Sequence, residues 1–104
     1  MKTILIKDIL VSNPDGHSVE IYGWVRTKRD SKNLVFLQIN DGSCFASIQA
    51  TYDRDLDNPN KNDIENQLKR ITTGASVKAT GKLIPSPASG QAVEVQLEKI
   101  EVFG

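Results

Sequence analysis

The sequence predicts an all-β domain: a small, closed or nearly closed barrel of five short strands, with one helix between the third and fourth. Three observations support this prediction. Apolar and polar residues alternate over several short segments, glycine and proline separate these segments, and only one longer stretch has apolar residues at helical spacing. With 104 residues, the chain suits one domain and leaves no room for a large catalytic domain as well.

The first part of the chain is predicted to form a short helix followed by a strand. Residues 3–10 place their apolar side chains on one side of a helical turn, and residues 13–16 form a turn. Residues 19–26 alternate between apolar and polar, which is typical of a strand. Gly23 inside this strand indicates a sharp bend or a close approach of another backbone.

The next two strands are predicted to form a hairpin. They cover residues 33–40 and 44–52, and Asp41-Gly42 between them is a strong hairpin signal. In the first of these strands, the apolar side chains at odd positions are expected to face the core. Phe36 lies in the opposite phase, so we expect it to point away from the core.

A helix is predicted for residues 62–72, after a polar loop. Asn62 and Glu65 have the spacing of a capping box, and Gly74 is placed to end the helix. The fourth strand is expected at residues 75–84. The helix therefore separates the first three strands from the last two.

The fifth strand is predicted to begin near residue 92, after a loop at residues 85–90. Its apolar phase slips towards its end, which a bulge near Glu98–Lys99 explains. Five strands with a helix between the third and fourth have the order of the OB-fold, a Greek-key barrel. Such barrels bind their ligands on the face of the second and third strands.

Composition excludes several function classes. The chain has 13 basic residues (Lys and Arg) and 13 acidic residues (Asp and Glu), so its net charge is zero. Any nucleic acid would therefore bind at a local positive patch, because the molecule as a whole is not basic. Cys44 and His17 are the only residues of their kinds, which excludes an internal disulfide and a typical structural zinc site. No apolar run approaches the roughly 20 residues that span a bilayer, so we expect a cytoplasmic domain with no membrane contact. We find no nucleophile–base pair, and therefore expect no catalytic residue, metal or cofactor in this chain.

Phe36 and a cluster of cations are the leading candidates for a binding site. An outward ring on such a barrel can stack on a base, for about 1–3 kcal/mol; it can also pack under the N-terminal helix or against a neighbouring domain. Four cations lie within seven residues: Arg26, Lys28, Arg29 and Lys32. They can hold phosphates, or they can belong to an ordinary charged loop.

Three further positions depend on strand phase. Strict alternation puts Arg29 in phase with an inward valine, so it reaches the binding face only if the first strand coils or bulges after Arg26. Gln49 and Glu94 lie in the outward phases of their strands, where they can read a base edge. A solvated polar face is the simpler interpretation of that spacing. We interpret Trp24 as a packing residue beneath the helix or a partner domain.

Several segments together resemble the N-terminal anticodon-binding domain of class II aminoacyl-tRNA synthetases of the aspartyl, asparaginyl and lysyl subgroup. They are Gly23–Lys32, Leu34–Leu37 and Ile48-Gln49. Three others are similar to the asparaginyl member in particular: Asn40–Phe45, Thr72–Val77 and Thr80–Lys82. The resemblance implies that residues 1–104 are an OB-fold anticodon-binding domain, without the catalytic domain of the parent enzyme.

The resemblance also implies roles for individual residues. Phe36 would stack on the middle anticodon base, a uridine, and Gln49 and Arg29 would hydrogen-bond around that base. Glu94 would contact a neighbouring anticodon base. Two other cations would contact the RNA backbone, namely Arg26 and Lys28.

The implied parent enzyme joins asparagine to its tRNA for protein synthesis, using ATP and Mg²⁺ in the absent catalytic domain, and it is a homodimer. The domain alone is expected to be monomeric and without catalytic activity. Three alternatives stay open. They are the anticodon domain of an aspartyl enzyme, a general single-stranded nucleic-acid-binding protein, and a protein-interaction module.

Overall fold

Five strands form a closed barrel, to which two helices are added. The computed structural model describes residues 4–86 and 93–103. In chain order the elements are α1 (Ile6–Ile9), β1 (Ser18–Asp30), β2 (Leu34–Asn40), β3 (Ile48–Asp53), α2 (Lys61–Arg70), β4 (Ser76–Pro85) and β5 (Val93–Val102). The predicted OB-fold order is confirmed. No helix in the described ranges is long and apolar enough to cross a membrane.

The long strand β1 closes the barrel because it pairs with two different neighbours. Its first half lies antiparallel to β4, and its second half lies antiparallel to β2. The strand order around the barrel is β1-β2-β3-β5-β4, and β3 and β5 run parallel. One strand therefore contributes to two faces of the barrel.

The core is built from the phases that the alternating pattern predicts. The fully buried side chains of β1 and β2 are Val19, Ile21, Val25, Val35, Leu37 and Ile39. Burying a valine, leucine or isoleucine contributes about 1.5–3 kcal/mol each. Isoleucines of the two helices, Ile6, Ile9 and Ile64, are also completely buried against this core.

Gly23 lies where β1 passes close to β2. A Cβ atom added at Gly23 would lie 2.9 Å from Cγ2 of Ile39 and closer still to the carbonyl oxygen of Asn40. Any larger side chain would therefore push the two strands apart. The predicted close approach of a backbone at Gly23 is confirmed.

The predicted hairpin of β2 and β3 is confirmed, because the two strands pair antiparallel. The predicted start of β3 at residue 44 is wrong, because the connection is a longer loop over residues 41–47 and β3 begins only at Ile48. The Asn40 side chain holds this loop. Its Nδ2 donates to the carbonyl oxygens of Cys44 and Ala46, at 3.1 and 2.9 Å. Cys44 consequently lies half-buried in the loop and not in a strand.

The predicted ends of the helix also differ from the structure. Helix α2 begins at Lys61, and no side chain of the part of the chain that the structure describes caps its N-terminus. Glu65 instead accepts a bond from Arg54. The helix ends before Ile71, whose backbone is extended, so Gly74 lies beyond the helix. The N–H of Gly74 donates to the carbonyl of Val25 at 2.7 Å, which joins this turn to β1.

Two bulges change the phase of their strands. The pairing of β1 with β2 shifts between Val25 and Thr27, which leaves Arg26 as the extra residue. The pairing of β4 with β5 shifts so that Glu98 is extra, which confirms the predicted bulge. Most of the predicted loop before β5 lies outside the described residues.

Candidate nucleic-acid interface

An outward face of β1, β2, β3 and β5 carries two parallel rows of polar and aromatic side chains. The strand register brings together Thr27, Gln38, Gln49 and Glu94 in one row and Arg29, Phe36, Thr51 and Gln96 in the other. An open groove of about 470 Å³ runs over most of this surface. We call the outward face that carries these two rows the base-facing surface, because base contacts are predicted there.

The bulge at Arg26 places Arg29 on the base-facing surface. Without the bulge, strict alternation would turn Arg29 towards the core, because Val25 points inward. The guanidinium carbon of Arg29 lies 4.6 Å from the centroid of the Phe36 ring, which is cation–π geometry. The ring and the cation both line the groove, and Phe36 is half-buried and not sealed in the core.

Gln49 and Glu94 lie side by side on the parallel strands β3 and β5. Nε2 of Gln49 donates to Oε1 of Glu94 at 3.4 Å, and Nε2 of Gln38 donates to Oε1 of Gln49 at 3.3 Å. The hydroxyl of Ser86 also donates to Oε1 of Glu94, at 3.0 Å. Although both face the groove, Gln49 and Glu94 are only 7% and 5% exposed.

The other predicted cations are directed elsewhere. Nζ of Lys28 donates to the carbonyl oxygens of Leu68 and Ile71, at 2.7 and 3.4 Å, so it caps the C-terminus of α2. Arg26 is exposed, and its Nη1 lies 3.5 Å from the carbonyl oxygen of Phe45. The structure thus brings together Arg29, Phe36, Gln49 and Glu94, but neither Arg26 nor Lys28 joins them.

A second groove lies on the other side of the bulge. Its lining includes Trp24, Arg26 and the fully exposed Phe45. Trp24 is 41% exposed and does not pack beneath a helix, so that part of the prediction is wrong. Tyr22 next to it is equally open, and its ring stacks on that of Phe103 at 6.2 Å.

Arg54 fixes the loop that follows β1. It forms ion pairs with Asp30 at 3.0 Å and with Glu65 of α2 at 2.8 Å, and it donates to the carbonyl oxygen of Ser31 at 2.9 Å. Its hydrogen bonds lower the pKa values of both carboxyl groups. The loop carrying Lys32 is thereby held beside the base-facing surface.

Four residues of the surface were not predicted as candidates: Thr27, Gln38, Thr51 and Gln96. The last three lie in the outward phases of their strands, so the two-residue period alone would have found them. Thr27 follows the bulge at Arg26, so that period does not place it on the surface. Thr51 is 9% exposed, and its hydroxyl has no hydrogen-bond partner within residues 4–86 and 93–103. The register between distant strands, which a single sequence does not reveal, makes them neighbours of the predicted residues.

Comparison with known proteins agrees with this geometry. A family model described as an OB-fold nucleic acid binding domain, of the tRNA anticodon type, matches residues 19–103. The asparagine–tRNA ligase of Treponema denticola is 62% identical over 96% of this chain, and that of Colwellia psychrerythraea is 47% identical over all of it. The chain spans 21% and 22% of the length of these two relatives.

Solved structures share the fold. Asparaginyl-tRNA synthetase of Pyrococcus horikoshii, complexed with asparaginyl-adenylate, superposes with a TM-score of 0.78 at 23% identity, over 99% of this chain and 22% of that one. An OBody bound to hen egg-white lysozyme gives a TM-score of 0.81 at 18% identity, over 100% of this chain and 95% of that one. At these identities the likeness concerns the barrel alone.

Proposed function

Because the chain belongs to the tRNA anticodon-binding family of OB-fold nucleic-acid-binding domains, we propose that it recognises the anticodon loop of the tRNA for asparagine. The choice of tRNA follows the asparagine–tRNA ligases to which the chain is similar. Sequence would be read from base edges, while phosphate contacts fix the position of the RNA.

The observation that carries this proposal is the grouping of Phe36, Arg29, Gln49 and Glu94 on one open surface. In the proposal, the ring of Phe36 stacks on the middle base, and Arg29 and Gln49 bind around it. Glu94 accepts a bond from a neighbouring base. The neutral chain supports a local site, because no overall positive charge would attract RNA elsewhere.

We assign any catalytic activity to the part of a longer protein that these residues do not include. The chain would be the anticodon-binding domain of an asparagine–tRNA ligase that uses ATP and Mg²⁺, acts as a homodimer and resides in the cytoplasm. Its contribution would be the selection of the tRNA. An isolated domain would bind RNA without catalysing any reaction.

The test compares an asparagine-tRNA anticodon stem-loop with the same stem carrying a scrambled loop. We expect the chain to bind the anticodon loop more tightly, and Phe36→Ala to weaken that binding by about 1–3 kcal/mol. Fluorescence anisotropy at low salt measures both affinities. Equal binding of the two RNAs would contradict anticodon recognition.

Phe45→Ala is the matched control. It makes the same chemical change at a fully exposed ring outside the base-facing surface. We expect it to leave the affinity for the stem-loop unaltered. Equal losses for Phe36→Ala and Phe45→Ala would show that the base does not stack specifically on Phe36.

A further inference from the structure

A chain of side-chain hydrogen bonds crosses three strands beneath the proposed base site. Gln38 on β2 donates to Gln49 on β3, and Gln49 donates to Glu94 on β5. Ser86 donates to the same carboxylate oxygen of Glu94. The strand register explains the chain, because Gln38 lies opposite Gln49 and Gln49 lies opposite Glu94.

Glu94 sets the direction of this chain of hydrogen bonds. A carboxylate only accepts hydrogen bonds, so the NH₂ group of Gln49 must face Glu94 and its carbonyl must face away. The carbonyl then requires a donor on its other side, and the NH₂ group of Gln38 supplies one at 3.3 Å. Two partners on opposite sides therefore prevent the amide of Gln49 from turning over.

One N–H of the Gln49 amide group is not used by the bond to Glu94, since an NH₂ group has two donors. We propose that Gln38 is a positioning residue, which holds the Gln49 amide with this N–H towards the stacked base, so that the site favours a keto group over an amino group. This inference rests on the proposed function. It adds to that function a residue that orients the amide group by which the site chooses between two pyrimidines.

Uridine and cytidine stack alike, so their edges must decide between them. Uridine presents the O4 keto oxygen, which accepts the N–H of Gln49. Cytidine presents its N4 amino group there, which is a donor like the N–H of Gln49. The two donors face each other, and the buried N–H of Gln49 stays unpaired. A site that hydrogen-bonds one group rejects an analogue that cannot complete the bond, because the buried partner stays unsatisfied.

The test measures the ratio of affinities for two stem-loops that differ only by uridine or cytidine at the middle anticodon position. We expect the unaltered protein to favour uridine by about tenfold or more. Gln38→Met keeps the shape of the side chain but removes its donor, and should reduce the ratio severalfold. Gln38→Glu places an acceptor against the Gln49 carbonyl and should reduce the ratio further.

Gln67→Met is the matched control outside this surface. It makes the same chemical change on α2, where Oε1 of Gln67 accepts a bond from the N–H of Val102 at 3.1 Å, so the substitution should keep the ratio. Glu94→Gln gives an independent variant: an amide at position 94 can donate as well as accept, which lets Gln49 turn over and should also lower the ratio. Thermal melting of every variant shows that it is folded.

The outcomes separate this inference from the proposed function. Folded Gln38→Met and Gln38→Glu could weaken the binding of both RNAs equally and leave the ratio unchanged. Gln38 would then have only a structural role, and this result would overturn the inference but not the proposed function. Equal affinities of the unaltered protein for uridine and cytidine would overturn the inference too. Failure of the unaltered protein to prefer either loop over a scrambled one would overturn the proposed function, and this inference with it.

Discussion

The two halves of β1 belong to one continuous strand but present different surfaces. Before Arg26, the outward side chains are Tyr22 and Trp24, and they form no part of the base-facing surface. After Arg26, Thr27 and Arg29 face the same way as Phe36. One extra residue in the strand produces this difference, because it exchanges the inward and outward phases.

The comparison explains why one cation is assigned to the site and its neighbour is not. Lys28 and Arg29 are adjacent, so they point to opposite sides of the strand. Arg29 lies over the ring of Phe36, while Lys28 binds the end of α2. A count of nearby charges would assign the same role to both residues.

The largest expected effect concerns the first half of β1. Gly23→Ala would bring a methyl group against the Asn40 carbonyl and Ile39, and the strain should lower the free energy of unfolding by about 3 kcal/mol. Urea denaturation measures the loss. Ser18→Ala, at the exposed start of the same strand, is the control and should change the free energy of unfolding little. If Gly23→Ala were as stable as the unaltered protein, the close approach of the two strands would be disproved.

The second-largest expected effect concerns Arg29, in the second half of β1. Arg29→Met should weaken binding of the anticodon stem-loop by about 1–2 kcal/mol, because it removes the cation beside the stacking ring. If Arg29 also contacts a phosphate, the slope of log affinity against log salt should fall by about one. Anisotropy titrations at several salt concentrations measure both quantities, and unchanged affinity would remove Arg29 from the site.

Lys28→Met should produce the opposite result. It removes a charged donor from the last carbonyls of α2, so the free energy of unfolding should fall by about 1 kcal/mol. Its affinity for the stem-loop should match that of the unaltered protein, since Nζ lies away from the base-facing surface. A loss of RNA affinity with unchanged stability would reverse the assignment of these two neighbouring cations.

The order of the elements could be predicted because alternation and turn residues are local signals. The same signals placed Phe36 and Gln49 in the outward phase. Alternation alone left the position of Arg29 open, since the bulge at Arg26 is fixed by pairing with β2 and not by local spacing. Glu65 shows the opposite case: its spacing indicated a cap, but a distant arginine binds it more favourably.

The smallest expected effect concerns the end of β1, where Arg54 holds Asp30 and Glu65. Because its hydrogen bonds lower the pKa values of both carboxyl groups, the stabilisation is fully present above their ordinary pKa values. It is lost as the pH falls through the lowered values. Removing Arg54 should therefore cost stability at neutral pH and progressively less on acidification below about pH 5.

Urea denaturation of the unaltered protein and of Arg54→Met between neutral pH and pH 3.5, roughly the range over which carboxylates titrate, measures this difference. The effect should be modest, because solvent screens pairs that are partly exposed. Arg70→Met removes an exposed cation of α2 for which no ion pair appears among the described residues, and should show no such pH dependence. If the stability difference for Arg54 stayed constant with pH, Arg54 would stabilise the loop through its bonds to backbone carbonyls and not through the two carboxylates.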